Sequence, residues 1–97
     1  MEITFTGHQL EVTPALKEFT RDKFEKIIRH YDRINSINVT FNVDKLQHTV
    51  EATISVPQQS IHASSESFES MYVAIDKLIE KLDKQIKRHK EKKTDHK

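Results

Sequence analysis

Residues 36–43 read SINVTFNV and alternate without a fault: Ile37, Val39, Phe41 and Val43 on one side, Ser36, Asn38, Thr40 and Asn42 on the other. The segment TVEATISV repeats the pattern with Val50, Ala52, Ile54 and Val56. Successive side chains leave a strand on opposite sides, so a period of two marks a strand with one buried face. The intervening DKLQH is short enough to make the pair a hairpin. A sheet of such strands is covered on one side only, and the rest of the chain has to supply the cover.

It supplies two helices and two more strands. Glu2–Thr6 alternates, with Ile3 and Phe5 against Thr4 and Thr6, and the single glycine, Gly7, reads as the close of that strand. Thr13-Pro14 starts a helix, since the threonine hydroxyl accepts an orphan amide and proline at the first helical position loses no bond. Leu16, Phe19, Phe24, Ile27, Ile28 and Tyr31 then recur at helical spacing over residues 14–31. Pro57-Gln58-Gln59 makes a turn into a short fourth strand, SIHASS, with Ile61 and Ala63 inward. Ser67 or Ser70 caps the last helix, whose apolar face is Met71, Ile75, Leu78, Ile79, Leu82 and Ile86, from Glu69 to about Glu91. The five phenylalanines, Phe68 included, read as core-facing, and Tyr72 lies beside the stripe of the last helix.

The order β-α-β-β-β-α gives an α+β two-layer sandwich: a four-stranded sheet with two helices packed side by side on one face. Its first crossover joins parallel strands and is right-handed. Ninety-seven residues suit one core. Residues 1–91 form the single domain, and 92–97, which have nothing left to bury, form a flexible basic tail.

Several function classes are excluded early. No apolar run approaches the roughly 18 residues of a membrane span, and MEITFTGHQL has neither the basic nor the apolar region of a secretory signal. The chain has no cysteine, hence no disulfide or thiolate metal site, and a cytoplasmic protein fits. The histidines, His8, His30, His48, His62, His89 and His96, each stand alone in their element. There is no HExxH and no Gly-rich phosphate loop. No metal, cofactor or catalytic role is expected, and His62 reads as an exposed residue of the open sheet face.

Charge points elsewhere. The net charge is only +1, but residues 77–97 hold 9 Lys/Arg against 4 Asp/Glu, whereas residues 1–76 hold 7 against 11. Lys77, Lys81, Lys84 and Arg88 step by four, three and four, one stripe of a helix. The bland reading is solvated pairing, Glu80 with Lys84 and Asp83 with Lys87. Yet six Lys/Arg and one acid between Lys84 and Lys93 exceed what pairing absorbs. Lys23, Lys26 and Arg29 on the first helix form a second set. If the helices are neighbours, both sets can border one groove, two basic ridges about 10 Å apart. The open face, with Thr40, Asn42, Glu51, Thr53 and His62, is polar but hardly cationic. An RNA-binding surface would be the helix pair, reading shape and phosphate rather than bases.

The segments VTPALKEFTRDKFEKI, YDRIN and IHASSESFESMYVAIDKLIEKLDKQIKRHKEK resemble the short ribosome hibernation-promoting factors, relatives of the ribosome-associated translation inhibitors. The resemblance covers nearly the whole chain and is most specific in MYVAIDKLIEKLDKQ. It implies a fold similar to double-stranded-RNA-binding domains and binding to the small ribosomal subunit and 70S ribosome. The site implied is the channel used by mRNA and by tRNA in the A and P sites, so that idle ribosomes are blocked and protected. It carries basic positions over to Lys23, Lys26 and Arg29, and to Lys81, Lys84, Arg88 and Lys90; Lys87 and Lys77 fall where the pattern is looser. Tyr72 and Asp76 also match, as helix-positioning or RNA contacts. Long relatives pair ribosomes through a second domain, so a chain ending at Lys97 would need a separate dimerising factor. Its basic end resembles the dimer-permitting branch. Two other readings stand beside this one: a general double-stranded-RNA-binding module, and a protein-interaction module using the long helix.

Overall fold

The two alternating segments pair in the register that a tight turn dictates. In the computed structural model, which describes the backbone of residues 2–94 and the side chains of residues 2–90, β2 (Ser36–Asp44) and β3 (Gln47–Val56) are antiparallel from Asp44↔Gln47 to Ser36↔Ser55. Only Lys45 and Leu46 join them, with Lys45 at φ 59°. β3 turns into β4 (Gln59–Ser67) through Pro57-Gln58, pairing Val56↔Gln59. Proline followed by a residue at positive φ, here Gln58 at 72°, is the pattern of a type II turn. β1 (Ile3–His8) lies parallel to β2, from Ile3↔Ile37 to His8↔Asn42, and the strand order is β1-β2-β3-β4.

The helices cover one face, as the alternation requires. α1 (Pro14–His30) is the crossover between β1 and β2. Its N-cap is Thr13, whose Oγ1 accepts from the Leu16 amide at 3.2 Å. α2 (Met71–Thr94) returns over β3 and β4 and beside α1. Phe24 and Ile27 of α1, Ile37, Phe41 and Ile54 of the sheet, and Ile75, Leu78, Leu82 and Ile86 of α2 are completely buried together. Full burial of each such side chain stabilises by about 1.5–3 kcal/mol. Thr20 joins this core because its hydroxyl donates to the Leu16 carbonyl one turn back, at 2.8 Å.

Four expectations are corrected. Gly7 does not close β1 but lies within it, opposite Phe41. A Cβ there would stand 2.7 Å from Val12 Cγ2 and 2.8 Å from the Leu10 carbonyl oxygen, so the returning chain occupies the space of its missing side chain. β4 runs to Ser67, past the expected Ser65; small Ser65 and Ser67 are its buried inward residues, with no apolar signal to reveal them. Phe68 is not in the core: it is 70% exposed, because it falls on the outward phase just beyond Ser67, where the chain turns into α2. That turn is held by Ser67 Oγ, which accepts from the Glu69 amide at 3.0 Å. Ser70 caps α2 itself, accepting from the Val73 amide at 3.2 Å, so Glu69 lies outside the helix. At the other end α2 continues to Thr94, past the expected Glu91; the last part of the expected tail, residues 95–97, lies outside the described residues.

Candidate nucleic-acid interface

A helix four residues per step keeps one flank, and α2 uses different flanks for different neighbours. Toward α1 it presents Tyr72, Asp76, Asp83 and Lys90. Tyr72, 43% exposed, meets the Phe19 ring edge-on at 4.7 Å. The Asp76 carboxylate pairs with Lys23 Nζ at 3.1 Å, and Lys23 also lies over the Phe19 ring at 5.2 Å. Asp83, buried, faces His30 Nδ1 at 3.7 Å and holds Lys87 Nζ at 3.4 Å. Lys90 Nζ donates to the His30 carbonyl at 2.7 Å, which satisfies a backbone acceptor at the C-terminus of α1. His89 bonds Tyr31 Oη through Nε2 at 3.1 Å and the Gln59 amide nitrogen through Nδ1 at 2.9 Å, tying α2 to both.

The opposite flank faces β4. Lys81 Nζ donates to the Ser64 carbonyl at 2.7 Å and Gln85 Nε2 to the His62 carbonyl at 2.9 Å. Arg88 stands over a hollow shared with Gln59, Ser60, Ile61, Gln85 and His89. The two basic sets therefore do not confront each other across one groove. The groove between the helices is lined by Asp22, Lys23, Lys26, Asp76, Ile79 and Glu80, a mixture of signs. The 77-81-84-88 stripe turns away from it, because the contacts of Tyr72, Asp76 and Asp83 commit another flank to α1.

What remains exposed on the helical layer are Lys26, at the groove, and Arg29 near the end of α1, Lys84 and Lys87 on α2, and Arg88 at the β4 flank of α2. Lys26, Lys84 and Arg88 make no ion pair with any other described residue. The expected Glu80–Lys84 pair is not formed, while the Asp83–Lys87 pair is. Arg29 pairs with Glu25 within α1 at 3.2 Å, an exposed contact worth about 0.3–0.5 kcal/mol and easily exchanged for a phosphate. Of the eight expected cations, then, Lys26, Lys84 and Arg88 are exposed without an ion pair among the described residues, Arg29 and Lys87 are exposed but paired within their own helices, and Lys23, Lys81 and Lys90 are bound to another element. Gln85 and His89, which organise the flank and the α1 junction, carry no sequence signal, since their partners are distant backbone and ring atoms.

The open sheet face holds a different chemistry. Thr53 Oγ1 and His62 Nδ1 are hydrogen-bonded at 2.9 Å, and His62 Nε2 lies 3.4 Å from Glu51 Oε1. All three are on the solvent side of the sheet. Among the described residues no group of three or more His, Asp or Glu could hold a metal ion, and no helix is long and apolar enough to cross a membrane.

A four-stranded sheet covered on one face by two helices that carry exposed lysines and arginines defines a small two-layer α+β domain. More specifically, the chain belongs to the sigma 54 modulation protein / S30EA ribosomal protein family, whose profile matches residues 3–94. A ribosome hibernation promoting factor of Salmonella typhimurium is 45% identical over 96 residues, covering 99% of this chain and 100% of its own. Another, from Azotobacter vinelandii, is 45% identical over 92 residues, 95% of this chain and 85% of its own. Among solved structures, a ribosomal subunit interface protein from Coxiella burnetii superposes with a TM-score of 0.86 at 36% identity, covering 93% of this chain and 98% of that one. The N-terminal domain of Thermus thermophilus Protein Y shares the fold, with a TM-score of 0.83 at 24% identity over 92% of this chain and 99% of that one.

Proposed function

We propose that this protein is a ribosome hibernation factor that binds the small subunit through rRNA phosphates and acts in the cytoplasm as a non-catalytic plug. The outer face of α2 and the end of α1 contact the RNA, and the folded body blocks the path of mRNA and of tRNA in the A and P site region. The observation that carries this reading is the outward cationic face, in which Lys26, Lys84 and Arg88 have no ion-pair partner among the described residues. Family membership and the names of the relatives support the ribosomal target. Such a face recognises phosphate spacing rather than base identity, because the large exposed aromatics among the described residues, Phe68 and Tyr72, lie at or just before the start of α2, about three helical turns from Lys84 and further from Arg88.

Co-sedimentation with small subunits, large subunits and 70S ribosomes at several salt concentrations tests it. With about five phosphates neutralised, log affinity for small subunits falls with log salt at a slope near −3 to −5. The Lys84→Glu/Arg88→Glu variant keeps its fold and is lost from small subunits and 70S ribosomes. Equal retention of wild type and variant, or retention independent of salt, overturns the reading. Comparable affinity for an arbitrary RNA duplex would instead make it a general duplex binder.

A further inference from the structure

Lys81 belongs to the cationic stripe by spacing, yet its ammonium is directed at the protein. Its Nζ donates to the Ser64 carbonyl at 2.7 Å, and one helical turn on Gln85 Nε2 donates to the His62 carbonyl at 2.9 Å. β4 is an edge strand, paired only with β3. Ser64 and His62 are alternate residues of it, so both acceptors are on the edge that β3 leaves open. Four residues of helix rise about 6 Å. Two residues of antiparallel strand rise about 6.8 Å. The two bonds are thus successive rungs of a ladder in which α2 runs opposite to β4 and stays in step with it. Lys81 also borders a hollow with Thr49, Ser64, Ser65 and Glu66, which contains a carboxylate and no second cation. A phosphate is disfavoured there.

We propose that Lys81 is a positioning residue: with Gln85 it registers α2 on the outer edge of β4, and it takes no phosphate. In this register Lys84, Lys87 and Arg88 stand outward, so the inference deepens the ribosome-binding reading and rests on it for its effect on affinity. The molecule also provides its own control. Gln85 occupies the same flank one turn along and reaches a β4 carbonyl with an uncharged amide, so glutamine at position 81 can keep the bond while losing the charge.

The experiment compares Lys81→Gln, Lys81→Met, Lys84→Gln and Arg88→Gln in small-subunit co-sedimentation across a salt series. Lys81→Gln keeps both affinity and slope. Lys81→Met loses about fivefold in affinity at every salt concentration, the effect of one net hydrogen bond, with the slope unchanged. Lys84→Gln and Arg88→Gln each make the slope shallower by about 0.7–0.9. A slope change in Lys81→Gln equal to that of Lys84→Gln shows a phosphate ligand and overturns the proposal. A ribosome-free readout separates this failure from failure of the functional reading: the carbonyl 13C shift of Ser64. It moves in Lys81→Met, is recovered in Lys81→Gln and ignores Lys84→Gln. If wild type binds no ribosome, the functional reading fails while this shift still decides the registry. A Ser64 shift indifferent to Lys81→Met overturns it.

Discussion

At Gly7 the missing side chain matters for what fills its place. The residue is in regular strand, paired with Phe41, and needs no positive φ. A methyl group would meet Val12 Cγ2 at 2.7 Å and the Leu10 carbonyl oxygen at 2.8 Å, and only the first of these is a side-chain atom. Gly7→Ala should therefore destabilise by about 1–3 kcal/mol, as overpacking does. Adding Val12→Ala should recover only part, since the backbone oxygen stays. Urea unfolding of both variants measures this; full recovery by the second substitution would show that the Leu10 carbonyl can move away at no cost. The sequence shows a lone glycine beside an alternating segment, which suits a strand end as well as a crowded strand interior. Phe68 is the converse case. Its hydrophobicity argues for burial, but its phase after Ser67 sends it outward, and phase is the better guide once the strand's end is known.

Elements were legible where one face is apolar and the other polar. The alternation of β2 and β3 and the stripes of both helices lead directly to the β-α-β-β-β-α order. β4 was legible only as far as its apolar residues go, because Ser65 and Ser67 are buried without looking buried. The basic residues of α2 were legible as a stripe, but periodicity does not say which neighbour each flank meets. That depends on Asp76 pairing with Lys23 on one side and Lys81 bonding Ser64 on the other, contacts between segments far apart in sequence. The ladder on β4 has a consequence for the element as a whole. An edge strand with free carbonyls is a template for another strand, and α2 occupies two of those carbonyls. Lys81→Met with Gln85→Met should unmask the edge and give concentration-dependent self-association, read by sedimentation velocity, while Lys84→Met does not. A strictly monomeric double variant would mean that the bulk of α2, not its two donors, closes the edge.

Across the whole molecule the charges are sorted by layer. None of the four strands contains a lysine or arginine, while they carry Asp44, Glu51 and Glu66. The cationic face described above lies wholly on the helices of the other layer. A net charge of only +1 therefore conceals a molecule with a cationic helix face and an anionic sheet, and in the field of a polyanion such a molecule is oriented before contact. Under the proposed ribosome-binding reading, the sheet acids would repel phosphate from the wrong side without a bond to any partner. Glu51→Lys with Glu66→Lys leaves the outward helix cations untouched and moves the net charge by about four units, enough for the sheet to attract RNA on its own account. The expected outcome is a large gain in affinity for an arbitrary RNA duplex and a smaller gain, or none, for small subunits, so that the preference between them narrows. Competition of labelled duplex against small subunits at fixed salt measures the ratio. An unchanged ratio would mean that selectivity for the ribosomal site comes from the shape of the helix face alone, with the sheet's charge a bystander.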